Sequence, residues 1–297
     1  MTKKKKNMKT RQFRKLEDLN LIDDFLFQQM LAQEKDGEEF VRILLSTILD
    51  KPIRNVKIIS QKNILGTDTD KHGIRLDAYI QNISDTQSTS ADVEIIPDIY
   101  DLEPNKRFEK DCLPKRMRYY HSLIDVQLLS SGTTYKNLPN VVIIIILPYD
   151  PFDKNRMVYT IQNQCIEEKA LGYNDGSQKI FLYTKGTKGN PSQALKDMLQ
   201  YIERTVEDNV TNHNIDTIHQ LVTKVKRKKE VGISYMKSWE RDDWMREEGY
   251  DDGFNDGFEI LNQLNLRLAE SGRTDDIIKA ARDKEYCNQL LHEFGLQ

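Results

Sequence analysis

Cysteine is scarce in this chain: only three occur in 297 residues, at Cys112, Cys165 and Cys287. Because they are odd in number and far apart, they predict neither a disulfide framework nor a cysteine-based metal site. Long apolar runs are also missing, since no stretch approaches the roughly 20 residues that span a bilayer. The lysine-rich start is not followed by an apolar signal region. We therefore expect a reducing, cytoplasmic location and no membrane partner.

Several catalytic signatures are missing too. The sequence has no glycine loop that would cradle a phosphate, no nucleophile elbow and no zinc-ligand spacing. Its net charge is −3, which argues against a surface that coats nucleic acid non-specifically. Any contact with DNA would therefore need a local basic patch. The hydrophobic content of 38% is sufficient for a sizeable core.

The chain length fits one large domain or a core with an appendage. Composition divides it into a basic, disordered tail over residues 1–15, a core over 16–190 and a helical region over 191–297. Within the last region, glycines recur at every fourth residue near 249–257. Such glycines fit either a packed helix pair or a flexible joint, and their helix-weakening effect favours the joint.

Apolar spacing predicts two helices between residues 21 and 49, broken near Lys35-Asp36-Gly37. Strands are expected near Val56–Ile59, around Asp77, near Ile99–Leu102 and at Lys179–Tyr183. The β-branched run Val141–Leu147 is typical of a strand buried on both faces. With a helix predicted from Leu113 to about Leu129, this order favours a mixed sheet flanked by helices, in the α/β or α+β class.

Asp77 and Glu103 each lie inside an apolar, strand-like stretch. Burying an ionised carboxylate costs several kcal/mol unless it is paired, hydrogen-bonded or bound to a metal. Because Leu76 and Leu102 alternate with the carboxylates, each strand can bury one face and present its acid on the other. Pro104 keeps Glu103 extended and suits the end of a strand. The alternative is that both acids are ordinary, half-exposed strand residues.

A basic helix follows these strands. Lys115 and Arg118 share one face of it, and Arg116 flanks that face. Lysine and arginine contacts to phosphates position a nucleic acid without reading its sequence. The helix could therefore hold a phosphate, although a charged helix face is more often simply solvated.

Five segments complete the motif pattern: Asp23–Phe27, Gly73–Tyr79, Tyr100–Pro104, Leu113–Asp125 and Leu147–Phe152. In this order they resemble the PD-(D/E)XK nuclease superfamily, and more closely its transposase-associated branch, the recombination-promoting nucleases. The resemblance implies a restriction-endonuclease-like mixed sheet with flanking helices in the core and a helical C-terminal extension.

The resemblance also implies site residues. Asp77 becomes the motif aspartate and Glu103 the glutamate of the E-x-K element, together binding Mg²⁺ or Mn²⁺. Asn105 stands where a lysine would position water, and a neutral amide at this place is common in the family. Lys106 is a weaker candidate, because in a continuing strand it would point to the opposite face.

Two choices remain open at the level of sequence. Glu94 competes with Glu103 for the glutamate position; we prefer Glu103 because its distance to the basic helix fits better and residues 84–98 resemble an insertion. Asp24, or its neighbour Asp23, could add a ligand or orient a water. Alternatively, this pair supplies the N-cap of the first helix.

The expected function is a Mg²⁺-dependent DNA endonuclease linked to recombination or mobile elements. Asp77, Glu103 and Asn105 would be catalytic, with Lys115, Arg116 and Arg118 on the substrate phosphate. The alternative is a catalytically degenerate nuclease fold that binds DNA or mediates oligomerisation. RNA as substrate and a homodimer both stay open.

Overall fold

The computed structural model describes residues 13–64, 74–82, 98–129 and 131–296. Its described residues form two compact units, Phe13–Gly232 and the segment from Ile233 onward. Most of the predicted basic tail, residues 1–12, lies outside the described residues, as do Glu94 and the predicted insertion up to residue 97.

Helices and strands alternate in the first unit. The helices are α1 (Asp24–Leu31), α2 (Glu34–Leu49), α3 (Leu113–Leu128), α4 (Gln193–Glu203) and α5 (His213–Lys226). The strands are β1 (Val56–Ile64), β2 (Ile74–Asn82), β3 (Asp98–Pro104), β4 (Val141–Leu147), β5 (Val158–Gln162) and β6 (Ser177–Tyr183). Short 3₁₀ turns occupy Leu16–Asp18, Tyr135–Asn137 and Glu207–Asn209.

The strands of the described residues form one mixed sheet in the order β1-β2-β3-β4-β6-β5. β1, β2 and β3 pair antiparallel, β3, β4 and β6 pair parallel, and β5 pairs antiparallel with β6. β4 is central, and its residues are buried except for partly exposed Val142. The predicted mixed sheet with flanking helices is confirmed.

α3 connects the parallel strands β3 and β4 and packs against the sheet. Pro114 lies in its first turn, where the missing N–H costs no helical hydrogen bond. Leu113, Met117 and Ile124 are fully buried and join a core cluster with Ile143 and Ile145 of β4. The predicted apolar face of this helix is therefore confirmed.

Helices beyond residue 190 complete the first unit. The N–H of Leu21 donates to Thr205 Oγ1 at 2.8 Å, and the N–H of Ile22 donates to the carbonyl of Ile202 at 3.1 Å. α4 packs against α2, and α5 contacts both α1 and α2. The start of α1 is thereby fixed to the end of α4.

The predicted helix break at Lys35-Asp36-Gly37 is wrong, because the two helices are separated at Ala32-Gln33 and Gly37 lies inside α2. A Cβ on Gly37 would lie 3.0 Å from the carbonyl oxygens of both Met30 and Leu31. Glycine is therefore needed where the start of α2 passes the end of α1, rather than as a helix breaker.

The described part of the second unit contains α7 (Thr274–Arg282), α8 (Lys284–Glu293) and most of α6 (Lys229–Glu270). The first residues of α6 belong to the first unit. Leu264, Leu268, Leu290 and Leu291 form its buried cluster. The glycine repeat lies within the unbroken α6, so the expected flexible joint is wrong. No helix among the described residues is both long and apolar enough to cross a membrane.

Substituting Gly37 tests the close approach of α1 and α2. Alanine would gain about 1 kcal/mol of helix propensity, whereas overpacking against fixed backbone costs about 1–3 kcal/mol. Gly232→Ala is the matched control, because it is helical and its Cβ would meet nothing within 4 Å. In urea unfolding we expect Gly37→Ala to be less stable than Gly232→Ala by about 1–3 kcal/mol. Equal stability of the two variants would contradict the packing.

Candidate active site

Asp77 and Glu103 lie where β2 and β3 separate. The antiparallel pairing of the two strands ends at Tyr79 opposite Asp101. Extending that register by two residues places Asp77 opposite Glu103, on the sheet face that also carries Tyr79 and Asp101. The two predicted acids therefore lie on one sheet face at the fork where the strands part, close enough to interact electrostatically.

The carboxyl group of Asp77 is strongly perturbed. Its pKa is raised to about 7, chiefly by burial and then by the nearby carboxylate of Asp24, while Arg75 and Arg116 oppose the shift. Asp77 therefore holds its proton near neutrality mainly because burial disfavours the ionised carboxylate.

Glu103 is perturbed in the same direction and is anchored by Arg116. Its pKa is raised to about 7: burial is the largest cause, Arg116 opposes it, and Asp77 and Asp24 add to it. Arg116 Nη2 donates to Glu103 Oε1 at 2.9 Å, and Nη1 donates to Glu109. Within the described part of the chain, the buried Glu103 Oε2 has no hydrogen-bond partner.

Asp101 is a site residue that the sequence interpretation missed. It is fully buried, and neither carboxyl oxygen has a hydrogen-bond partner among the described residues. Burial, with Glu103 and then Asp77, raises its pKa well above the usual range. The sequence could have indicated Asp101 by its spacing, because a residue two places before Glu103 in a strand lies on the same face as Glu103.

The start of α1 supplies Asp23 and Asp24. Asp23 holds the N-cap position, but its side chain makes no capping hydrogen bond. Its carboxylate instead accepts from Lys106 Nζ at 2.6 Å, from Arg14 and from the N–H of Asn20. Burial, followed by the charge of Asp23, raises the pKa of Asp24. Asp24 is electrostatically coupled to both Asp77 and Glu103.

Asn105 lies just beyond the end of β3. Its N–H donates to the carbonyl of Ile146 at 2.8 Å, and its Oδ1 accepts from the N–H of Arg107 at 2.9 Å. Its Nδ2 is buried and has no partner in the described residues. Because β3 ends at Pro104, strand alternation no longer determines the direction of Lys106, which reaches Asp23.

The basic residues of α3 divide into two groups. Arg116 points inward to Glu103 and Glu109, with 22% of its side chain exposed. Lys115 and Arg118 are exposed on the helix surface. Ser122 Oγ donates to the carbonyl of Arg118 at 3.0 Å.

A comparison with protein families identifies the group to which this arrangement belongs. The sequence model of the PD-(D/E)XK nuclease family transposases matches residues 21–183, more than half of the chain. The chain belongs to this family. No curated protein and no solved structure gave a significant match. The expected family resemblance is thus confirmed, and the match runs from just before α1 to the end of β6.

PD-(D/E)XK nucleases generally use divalent metals, and the residues at the fork fit such an ion. No set of three or more potential ligands converges on one point among the residues described. Mg²⁺ does not need one, since it is commonly bound by one or two carboxylates and keeps several waters. Glu103 Oε2 has no partner among the described residues, and burial followed by neighbouring carboxylates raises the pKa values of Asp77 and Glu103, a shift that a bound cation would oppose.

The pH dependence of stability tests this charge imbalance. The folded-state pKa of Asp77, about 7, lies above its ordinary value of 3.8, so ionising Asp77 destabilises the fold progressively between about pH 4 and pH 7. The full shift in the Asp77 pKa corresponds to about 4 kcal/mol of stability, and part of this effect is shared with Glu103 because the two groups interact. In EDTA at pH 8, we expect Asp77→Asn to be more stable than the parent by about 2 kcal/mol, or roughly 4–8 °C in Tm.

The advantage of Asp77→Asn should shrink as the pH falls towards 4. Asp150→Asn is the control of opposite sign, because hydrogen bonds from Tyr159 and backbone N–H groups outweigh burial and lower the Asp150 pKa. That variant should lose stability at pH 8. A parent that is more stable than Asp77→Asn at pH 8 would contradict the charge imbalance.

Proposed function

We propose that the protein is a metal-dependent DNA endonuclease that hydrolyses phosphodiester bonds in recombination or in the movement of genetic elements. The supporting observation is the pair Asp77 and Glu103, which lie on one sheet face at the fork and have pKa values raised to about 7. In a family of nuclease-fold transposases, two carboxylates short of positive charge are suited to bind the ion that such chemistry uses.

Asp77 and Glu103 would hold Mg²⁺ or Mn²⁺, with Asp24 as an outer group that orients water. When bound, the ion supplies Lewis-acid stabilisation of the phosphate and acidifies a water. Arg116 is assigned to positioning: its bond to Oε1 fixes the Glu103 carboxylate and leaves Oε2 for the ion. This differs from the phosphate contact expected from the sequence.

Asn105 and Lys106 share the role that a lysine would fill. The buried Asn105 Nδ2 can donate to the attacking water, whereas the Asn105 N–H is already bonded to the carbonyl of Ile146. Lys106 lies against Asp23 beside Asp24, so its ammonium can stabilise negative charge at the edge of the site. Lys115 and Arg118 contact the DNA backbone from the exposed surface of α3.

The proposal includes a cellular compartment and binding partners. Cys112, Cys165 and Cys287 are unpaired, which is consistent with a reducing cytoplasm. DNA is the proposed partner, and a homodimer would bring two sites to one duplex.

Plasmid cleavage tests the catalytic assignment. With Mg²⁺ or Mn²⁺ the parent should nick supercoiled DNA, and Asp77→Ala or Glu103→Gln should reduce the rate at least about 10³-fold, as expected when the ion is lost. Asp98→Asn is the matched control, because Asp98 lies at the opposite end of β3. A parent that leaves DNA intact, or Asp77→Ala that cuts as fast as the parent, would contradict the assignment.

Salt dependence tests the phosphate contacts. Removing one phosphate contact should lower the slope of log K against log salt by about 0.9, so Lys115→Ala/Arg118→Ala should lower it by about 1.8. Binding should weaken equally for unrelated DNA sequences. Lys237→Ala/Arg241→Ala removes the same charge from exposed residues of α6 and should leave the slope unchanged. An unchanged slope in the α3 variant would remove these residues from the interface.

A non-catalytic module that binds DNA or oligomerises is the second candidate. It is favoured by Asn105, whose Oδ1 is engaged by the N–H of Arg107 as a structural turn contact. For such a module, DNA binding would persist in EDTA without cleavage under any metal. Restoring lysine with Asn105→Lys would then fail to increase the nicking rate, whereas in an active enzyme the same change should alter it.

A further inference from the structure

Phe108 is an exposed aromatic residue close to the candidate site along the chain. It lies five residues after Glu103, in the loop between β3 and α3, and 71% of its surface is exposed. A single exposed apolar residue is common on protein surfaces and means nothing alone. Phe108 is distinguished by the contacts that hold its loop and by the charged residues next to it in sequence.

A chain of contacts connects this loop to Glu103. Arg116 bonds both Glu103 and Glu109, the residue after Phe108. The N–H of Glu109 donates to the hydroxyl of Tyr149 at 3.3 Å, and the Phe108 ring lies 5.0 Å from the Tyr149 ring, tilted by 53°. The ring is therefore held in one place relative to the carboxylates, with most of its surface facing solvent.

One exposed cation, Arg107, directly precedes the ring in sequence. Arg107 has 82% of its side chain exposed and lies 3.4 Å from Glu109. Lys110, two residues after Phe108, forms an ion pair with Asp153. An exposed aromatic ring next to the exposed Arg107 matches single-stranded nucleic acid, because a base can stack on the ring while the neighbouring cation contacts a phosphate.

We infer that Phe108 stacks on an unpaired base within a few nucleotides of the cleaved phosphate, so the preferred substrate is DNA with a single-stranded or locally melted segment. Bases inside an intact duplex offer no free face for such a contact. Five residues span at most about 18 Å, and DNA rises about 3.4 Å per base pair, so the base lies within about five nucleotides of the site. This inference rests on the proposed nuclease function.

Binding of defined oligonucleotides in EDTA tests the inference without cleavage. The probes are a single strand of about 20 nucleotides, its perfect duplex, and that duplex with a central mismatch bubble of about three nucleotides carrying 2-aminopurine. Base stacking is worth about 1–3 kcal/mol per base, so Phe108→Ala should bind the bubble and the single strand about 5- to 140-fold more weakly. Binding to the perfect duplex should change by no more than about twofold.

Three further variants separate stacking from general apolar contact. Phe108→Trp should restore binding and quench the 2-aminopurine, whereas Phe108→Leu should behave like the alanine variant. Tyr135→Ala is the control, because Tyr135 is an aromatic residue that is 83% exposed in a different loop. Parental binding by Phe108→Ala or Phe108→Leu, or an equal loss on bubble and perfect duplex, would overturn the inference.

A parallel nicking assay distinguishes this inference from the proposed function. If the parent cuts DNA and Phe108→Ala binds every probe normally, the inference fails and the nuclease function stands. If ring-dependent preference for the bubble occurs without cleavage under any metal, the nuclease function fails and the stacking contact is supported. A parent that binds none of the three DNAs overturns both.

Discussion

An excess of buried negative charge on one face of the sheet is the constraint on which the site depends. Asp77, Asp101 and Glu103 share that face, and Asp24 is coupled to it from α1. Arg116 is the cation that contacts Glu103 directly, and it is shared with Glu109. Burial disfavours the charged forms of these carboxyl groups and one guanidinium does not offset it, so the pKa values of Asp77 and Glu103 are raised to about 7. This shortage of positive charge is what a bound cation would relieve.

The topology of the sheet places these groups together. Antiparallel pairing carries β2 alongside β3 until the strands part beyond Tyr79, and parallel pairing continues β3 along β4 to Pro104. The parallel connection requires a crossover, and α3 is that crossover, so Arg116 returns over the strand that carries Glu103. The fold thus provides both the acids and the residue that orients one of them.

Much of this could be predicted from sequence, because strong local patterns determined it. The continuous β-branched run at Val141–Leu147, the helical spacing of the apolar face of α3 and the alternation around Asp77 and Glu103 are all clear local patterns. Tertiary contacts determined the rest. Gly37 lies inside a helix because α1 passes close to it, and the inward direction of Arg116 depends on Glu103 and Glu109. The edge strand β5 was missed because it is short and largely exposed.

Equilibrium binding of Mn²⁺, followed by the electron paramagnetic resonance signal of the free ion, tests the central claim most directly. At pH 8 the parent should bind one Mn²⁺ between Asp77 and Glu103. Asp77→Asn and Glu103→Gln should each lower the affinity at least about tenfold, because removing even a residue that only supports a metal ligand has an effect of that size. The double variant should bind no more tightly than the weaker single variant. A parent that binds no Mn²⁺, or a double variant with parental affinity, would contradict the account.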